Sequence, residues 1–180
     1  MLMSESKVNQ EFDAAKADAF ANNIIDTLNK AALSLMISLG HRSGLFDAMQ
    51  KLPASTSTAI AKAANLSERY VREWLGAMVT SKVVMLDPER LLFWLPPEHA
   101  AYLTRKAGSD NIAVFAQYVA LMGAVEDDIL TCFKDGGGVP YSKFPRFHAV
   151  MAEDSGQSVL SSLESHILPL VPGLADLLSA

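Results

Sequence analysis

The fold of this 180-residue chain is decided by Ser55–Leu95, STSTAIAKAANLSERYVREWLGAMVTSKVVMLDPERLLFWL. Ser55–Thr58 supply candidate N-cap residues for a short helix over 59–64, because their side-chain oxygens can accept from its first free N–H groups. A turn is predicted at Asn65-Leu66, and Ser67 then begins a second helix. Two short helices joined in this way predict a helix-turn-helix.

The second of these helices has one apolar and one polar side. Its apolar residues recur every three or four positions, as on the buried face of a helix: Val71, Trp74, Leu75, Met78 and Val79. Residues 83–86 form a β-branched apolar run, residues 87–90 are a turn, and residues 91–95 return as a second strand. A helix-turn-helix followed by a hairpin predicts a winged helix.

The sequence on both sides of this stretch is helical in pattern. Residues 12–42 predict a long helix, with apolar residues at helical spacing: Ile24, Ile25, Leu28, Ala32, Leu35, Met36 and Leu39. Leu45–Leu52 predicts a short helix that Pro53 ends. Beyond the hairpin we predict helices over 97–104, 111–134, 144–153 and 158–168, and an apolar end over 174–178.

The predicted fold class is therefore mainly α with a small β-hairpin, in the form of a winged helix-turn-helix domain with a helical lid. We divide the chain into a helical arm over 1–28, the winged-helix domain over 29–105 and a helical lid over 106–180. Half of the residues are hydrophobic and 19% are charged, whereas roughly 25% is typical of soluble domains. Such a chain has apolar surface to cover, either in an efficient core or against a partner or a missing domain.

Charge and cysteine content narrow the class of protein. The formal net charge of -5 repels polyanions on average. Cys132 is the single cysteine, which excludes an internal disulfide or a Cys-rich zinc site and fits a reducing compartment. Residues 1–11 are polar, unlike a signal peptide, and the longest uncharged stretch, 111–125, is shorter than the about 20 residues of a membrane span. We expect a cytoplasmic protein without a membrane partner.

The outward side of the second winged-helix helix bears on DNA binding. A DNA-reading helix needs basic and amide side chains on that side. Here it combines two arginines, one acid and two small residues: Arg69, Arg72, Glu73, Gly76 and Thr80. The hairpin tip adds two acids and one arginine. This balance argues against nucleic acid as a partner, although a winged-helix transcriptional regulator stays open as an alternative.

No constellation in the sequence predicts catalysis or metal binding. Gly136–Gly138 follows a predicted helix and not a strand, which favours a flexible hinge over a phosphate loop. Glu126–Asp128 are neighbours on a helix and point in different directions, which favours a solvated face over a paired catalytic site. The four histidines lack the spacing of metal ligands: His41, His99, His148 and His166. We predict no catalytic residues and no metal ligands.

Residues 141–155 carry the most specific local pattern. Four residues share one face of a predicted helix there: Phe144, Phe147, His148 and Met151. Asp154 and Ser155 give this face a polar end. A stripe of this kind is usually a core face, and the pattern alone favours that interpretation. The functional alternative is an aromatic and thioether wall for a flat apolar substrate.

Four short motifs occur in order between Asn29 and the last residue. They are L-G-x-x-x-G-L-F at 39–46, R-x-W-L at 72–75, L-P-x-E-H-A at 95–100 and F-x-x-x-M-x-x-x-S at 147–155. Together they resemble the class I S-adenosylmethionine (SAM)-dependent small-molecule methyltransferases that carry an N-terminal winged helix. That family includes plant-type O-methyltransferases and bacterial and invertebrate relatives.

The resemblance implies a role for each region. In that family the winged helix forms the dimer and the following helices close over a small-molecule acceptor, so a homodimer is implied here. The substrate-lining residues implied are Phe144, Phe147, His148 and Met151, and Ser155 would lie near SAM. The family's glycine-rich cofactor loop and catalytic groups follow this region, and the chain stops at Ala180, where the first strand of that domain should begin.

We therefore expect a non-catalytic dimerisation and substrate-lid part of a methyltransferase, which alone binds no cofactor and is no enzyme. A stand-alone interaction module, which pairs with itself or with a full-length methyltransferase, is a further alternative.

Overall fold

A computed structural model describes residues 12–178 of the chain. The chain divides into two units, residues 1–32 and residues 33–180, and each is described by itself. Helix α1 covers Ala14–Ser43, close to the predicted 12–42, and its first 19 residues lie in the first unit. The polar segment 1–11 and the last two residues lie outside the described part. The predicted domain boundaries after 28 and 105 stay predictions.

The winged helix is confirmed in its order and in its hairpin. Its elements are α2 (Leu45–Gln50), α3 (Ser57–Ala64), α4 (Glu68–Thr80), β1 (Met85–Asp87), β2 (Leu92–Trp94) and α5 (Pro97–Leu103). The two strands pair antiparallel, with Leu86 opposite Phe93. Ser55 extends this small sheet, because its N–H and C=O both bond to the main chain of Phe93, at 2.9 and 2.8 Å.

The turn of the helix-turn-helix follows from its capping residues. Thr56 is the N-cap of α3, where its hydroxyl accepts from the N–H of Ala59 at 3.3 Å. Asn65 ends α3 in the left-handed conformation, with φ 55°, which asparagine tolerates better than most residues. Ser67 precedes α4 without a side-chain capping bond. The first residue of α4, Glu68, accepts instead from the Ser57 hydroxyl at 2.7 Å and so ties the two helices together.

The core of the winged helix is apolar and continuous. Trp74 packs edge-on against Phe46, with ring centroids 5.2 Å apart. Its indole N–H donates to the main-chain oxygen of Met36 at 2.8 Å. The buried hydrophobic residues of this core are Leu45, Phe46, Met49, Ile60, Ala61, Val71, Trp74, Leu75, Met78, Val84, Leu95, Ala100, Leu103 and Ala113. The predicted apolar side of α4 is thus its buried side, with Val79 half-buried at the edge.

The region after the winged helix, which the sequence predicts as a lid, is helical but more broken than its sequence pattern predicts. Its helices are α6 (Gln117–Gly123), α7 (Glu126–Asp135), α8 (Phe147–Ser162) and α9 (Leu174–Leu178). Tight 3₁₀ turns precede α6 at Arg105–Asp110 and Ile112–Ala116, and another covers Tyr141–Lys143. A π turn at Leu163–Ile167 and a 3₁₀ turn at Leu168–Leu170 follow α8 directly.

The prediction of one long helix over 111–134 is wrong. Its start is a 3₁₀ turn that the Asn111 side chain caps by accepting from the N–H of Ala113 at 3.1 Å. The helix then breaks at Val125, whose φ of -115° leaves the helical range. Glu126–Asp128 therefore form the first turn of a new helix, where the helix dipole stabilises negative charge.

The two helices predicted over 144–153 and 158–168 are also wrong, because α8 is one helix from Phe147 to Ser162. Pro145 disfavours helical backbone at the residue before it, and Phe144 is accordingly extended and precedes the helix. The break at Gly136–Gly138 is confirmed. Gly136 and Gly137 have φ of 74° and 91°, a region that residues with a side chain rarely adopt.

Within residues 12–178, no helix combines the length and the apolar character needed to cross a membrane.

Candidate functional site

Phe147 is the centre of an aromatic cluster at the start of α8. Its ring centroid lies 5.0 Å from that of Tyr141, 6.0 Å from Phe144 and 5.5 Å from His148. Arg146 makes this packing possible, because its left-handed backbone, with φ 58°, turns the chain into the helix. We call Tyr141, Phe144, Phe147 and His148 the aromatic cluster. The sequence pattern included three of these residues and missed Tyr141.

The side of α8 that the sequence singled out faces outward. Phe147, Met151 and Ser155 are four residues apart and so share one side of the helix. Phe144 and Phe147 are half-buried, His148 and Ser155 are exposed, and Met151 is 41% exposed. We call this the outer face of α8. The interpretation as a core stripe does not hold for it, since none of these five residues is fully buried.

The opposite side of α8 is held by a carboxylate. The Oε1 atom of Glu153 lies 2.8 Å from the Nε2 atom of His41, and its Oε2 atom accepts from the side-chain amide of Gln117 at 2.8 Å. A guanidinium nitrogen of Arg105 lies 3.6 Å from Oε1. The Arg105 guanidinium also pairs with Asp47 at 2.5 Å, and the Arg105 main-chain N–H donates to the same carboxylate at 2.8 Å.

These contacts set the ionisation of Glu153. Partial burial of the carboxyl acts to raise its pKa, but the hydrogen bonds from Gln117 and His41 and the positive charge of Arg105 outweigh burial. The pKa of Glu153 is therefore lowered below its ordinary value of 4.5. The carboxylate form is the one that this network holds.

Asp154, the next residue, bonds to a different partner. Its Oδ2 atom accepts from the Tyr118 hydroxyl at 3.0 Å. Burial raises the pKa of that hydroxyl above its ordinary value, and the bond to the charged Asp154 raises it further. A cavity of about 290 Å³ is lined by Glu153, Asp154 and Phe115, among others. Neither Met151 nor Ser155 lines this cavity, so it is separate from the outer face.

Sequence reasoning missed Glu153, His41 and Gln117 as a group. The partners of Glu153 are 112 and 36 positions away in the chain, so no local spacing could bring them together. One signal was available: Glu153 follows Val150 by three positions and shares its side of the helix. Val150 is 1% exposed, so an acid on that side had to find partners.

The helix α4 presents to solvent the side that the sequence predicted. Arg69, Arg72, Glu73, Gly76 and Thr80 are all exposed. Arg72 pairs with Glu68 of the preceding turn at 3.5 Å, and the Arg69 guanidinium lies over the Tyr70 ring at 5.9 Å. At the hairpin tip, the Asp87 carboxylate accepts from the main-chain N–H groups of Glu89 and Arg90. These contacts leave α4 with little of the basic surface that phosphate contacts need.

The described residues do not fit a SAM site. The glycine-rich loops that hold such cofactors follow a strand, and their backbone at a helix N-terminus binds the polar end of the ligand. Residues 12–178 contain two strands, β1 and β2, and these form an antiparallel hairpin. Gly136–Gly138 follows α7 and not a strand. In the same part of the chain, no three His, Cys, Asp or Glu side chains come together as metal ligands.

Comparison with protein families identifies the first half of this architecture. The model of the Rv2258c-like winged HTH domain matches residues 31–105, the region that holds α2 to α5 and the hairpin. Residues 31–105 are thus similar to the Rv2258c-like winged HTH domain. No curated protein sequence matches the chain.

Solved methyltransferase structures share the fold over more of the chain than the family model matches. The mitomycin 7-O-methyltransferase MmcR is 19% identical, with a TM-score of 0.61, over 83% of this chain and 47% of its own. The SAM-dependent methyltransferase SibL is 14% identical, with a TM-score of 0.55, over 83% and 47%. Human N-acetylserotonin methyltransferase, solved with SAM, is 16% identical, with a TM-score of 0.52, over 83% and 44%. This chain therefore spans less than half of each.

Proposed function

We propose that this chain is the non-catalytic N-terminal dimerisation and substrate-lid part of a SAM-dependent methyltransferase. Two findings support the assignment. The Rv2258c-like winged HTH domain covers residues 31–105, and methyltransferase structures share the fold over 83% of the chain while extending well beyond it. The cofactor and the catalytic groups of such an enzyme would come from the part that lies outside this fold.

The observation that carries the proposal is the contrast between the two sides of α8. Glu153 bonds on one side to buried groups of other elements, whereas the aromatic cluster and Met151 lie half-buried or exposed on the other. A helix held on one side with apolar rings on the other is suited to cover a flat apolar acceptor. Aromatic rings favour such contacts by stacking or edge-to-face packing.

In this role the chain contributes to methyl transfer by orientation. A wall of Phe147, Met151 and Ser155 would fix the acceptor against the methyl donor, and holding two reactants in register can supply much of the rate enhancement. His148 and Phe144 flank this wall and would determine the shape of acceptor that fits. In this role these side chains position the acceptor and transfer no proton.

Helix α1 supports the dimerisation half of the proposal. Exposed apolar side chains recur along it at spacings of four or seven residues, which are about one or two helical turns: Phe20, Ile24, Leu28, Leu35 and Leu39. An apolar groove of about 430 Å³ within the second unit is lined by Met36, Leu39, Tyr70 and Trp74, among others. Burying such surfaces in a second copy stabilises a dimer by roughly 25 cal/mol per Å² of apolar area, before the cost of association.

Sedimentation equilibrium tests the dimer with a matched pair of variants. Leu28→Asp places a charge in the apolar stripe of α1, where Leu28 is 63% exposed. Ala19→Asp places the same charge nine positions earlier, which is about two and a half turns and hence the other side of the helix. We expect wild type and Ala19→Asp to sediment at twice 19.4 kDa, and Leu28→Asp to sediment as a monomer. Removing residues 1–30 should give monomers or aggregates.

A wild-type chain that stays monomeric throughout the micromolar range would contradict the dimer. The coding DNA after codon 180 tests the methyltransferase assignment separately. We expect an in-frame strand followed by a glycine-rich loop of the D-x-G-x-G type. A frame that closes without one would favour a stand-alone module, and salt-dependent binding to duplex DNA would favour the regulator.

A further inference from the structure

Glu153 contacts side chains from three separate parts of the fold, through hydrogen bonds to His41 and Gln117 and an ion pair with Arg105. His41 lies near the end of α1, Gln117 begins α6, and Arg105 lies in the 3₁₀ turn after α5. We propose that Glu153 is a positioning residue that fixes the rotation of α8 about its own axis. The relevance of this rotation to an acceptor rests on the proposed function, in which the outer face of α8 is the acceptor wall.

Apolar packing alone holds α8 weakly. Among the side chains of this helix that the structure describes, Val150 is the one that is buried. A helix with one buried apolar side chain has little to resist rotation or sliding, because non-directional burial does not specify an angle. Hydrogen bonds do specify one, since their donors must approach the carboxylate along narrow directions.

The partners of Glu153 are buried and depend on it. His41 is 1% exposed and Gln117 is 3% exposed. The second polar atom of each side chain, Nδ1 of His41 and Oε1 of Gln117, is buried and has no hydrogen-bond partner among the described residues. Moving Glu153 away would leave both side chains without any described partner, and buried polar groups without partners are costly. The docked orientation of α8 is therefore sharply defined.

The direction of Glu153 also dictates the direction of the outer face. Met151 and Ser155 are each two positions from Glu153, which corresponds to about 200° around a helix. Turning Glu153 inward toward His41 and Gln117 thus turns Met151 and Ser155 outward. Arg105 reinforces this choice, because its own position is fixed by two contacts to Asp47 of α2.

Amide hydrogen exchange on the intact chain tests the proposal with two variants of Glu153. Glu153→Met keeps the length and apolar stem of the side chain but removes both acceptors. Glu153→Gln keeps an oxygen for His41 and gains an N–H₂ that can donate to Oε1 of Gln117, once that amide flips. A packing role would be served by methionine at least as well as by glutamine, whereas a positioning role requires glutamine.

We expect Glu153→Met to speed exchange of the amides in 147–162 by about tenfold or more, the loss expected for charge-assisted bonds. Glu153→Gln should retain most of the wild-type protection, and the amides of 71–78 in α4 should be unchanged in both. Asp154→Met is the control, because Asp154 is the neighbouring residue and has one described hydrogen-bond partner. It should speed exchange in α8 less than Glu153→Met does. Wild-type protection in Glu153→Met, or equal exchange in the two Glu153 variants, would overturn the proposal.

If Glu153→Met does not fold, Gln117→Met removes one donor and leaves the other contacts of Glu153. Selective loss of protection in α8 would then support the proposal, and unchanged protection would overturn it. The exchange measurement uses no acceptor, no SAM and no dimer. If the chain is monomeric and exchange in α8 depends on Glu153, the dimerisation part of the proposed function is refuted and the positioning role is not. If the chain is dimeric and exchange in α8 does not depend on Glu153, the positioning role alone is refuted.

Discussion

The indole N–H of Trp74 donates a hydrogen bond of 2.8 Å to the main-chain oxygen of Met36. This bond joins the second helix of the helix-turn-helix to the last turns of α1. The same ring packs edge-on against Phe46, so Trp74 combines apolar burial with a directional contact. A buried tryptophan normally needs a partner for its N–H, and here the main chain of a neighbouring helix supplies it.

Replacing Trp74 should therefore have two separable effects on stability. Trp74→Ala should lower the free energy of unfolding by about 3–5 kcal/mol, as for other large-to-small changes in a core. Trp74→Phe keeps most of the packing and should cost about 1 kcal/mol for the lost hydrogen bond. Urea denaturation gives both values, with Trp94→Ala as a control, since Trp94 is 36% exposed. Equal losses at Trp74 and Trp94 would show that the faces of α4 are wrongly assigned.

Replacing each of two helical glycines by alanine should change the stability of the chain in opposite directions. A Cβ atom on Gly40 would lie 2.5 Å from Cζ2 of Trp74 and 2.8 Å from Cε2 of Phe46, whereas a Cβ on Gly76 would meet nothing within 4 Å. Gly40→Ala should therefore destabilise the chain by about 1–3 kcal/mol through overpacking. Gly76→Ala should stabilise it by about 0.5–1 kcal/mol, because alanine loses less backbone entropy in a helix.

Thermal unfolding at a pH where the chain refolds measures both effects. A stable Gly40→Ala chain would mean that α1 and α4 can move apart without cost. A destabilised Gly76→Ala chain would mean that the exposed side of α4 contacts another surface, such as a second copy.

The ionisation of Glu153 predicts how stability depends on pH. Its pKa in the folded chain lies below the ordinary 4.5, so the folded state favours the carboxylate over the neutral acid. The resulting stabilisation is present above pH 4.5 and is lost as the pH falls through the lowered folded-state pKa. Because Glu153 is about one third exposed, solvent screening keeps the effect modest.

Urea midpoints measured from neutral to acidic pH give this contribution by comparison with Glu153→Gln. The difference between the two chains should shrink toward the acidic end. Glu73→Gln on the exposed side of α4 serves as the control for general charge effects. A difference that stays constant with pH would contradict the assigned ionisation.

Calorimetric titration with SAM should show no saturable binding to this chain alone. The described residues offer a hairpin and helices, and no strand that leads into a glycine-rich loop. A complete SAM-dependent methyltransferase under the same conditions gives the positive control. One site per chain with a micromolar dissociation constant would refute the expectation.

The winged helix was predictable from sequence because its signals are local. Thr56 at the N-cap, Asn65 at the turn and the apolar side around Trp74 each act within a few residues of where they occur. Pro97 at the first position of α5 is of the same kind. Such residues restrict the local backbone or determine which side of a helix is buried, and they do so independently of contacts with distant parts of the chain.

The helices after the winged helix were less predictable, because the breaks between them depend on weaker local preferences. Val125 is apolar and fits a continuous helical stripe, yet it is where one helix ends and the next begins. The two helices predicted over 144–153 and 158–168 left a gap between them, but α8 continues through it, Gly156 included, since one glycine costs a helix only about 1 kcal/mol. The aromatic residues of the site were found from spacing, whereas the contacts of Glu153 join distant segments and needed the fold.

The two sides of α8 differ in which substitutions the fold tolerates. Substitutions at Met151 or Ser155 alter what the helix presents while removing little buried surface, so they should be tolerated by the fold. Substitutions at Glu153 alter the support itself and carry the risk of unfolding the helix. In the proposed function, acceptor preference would change through single substitutions on one side of α8, while the contacts on the other side keep the helix in place.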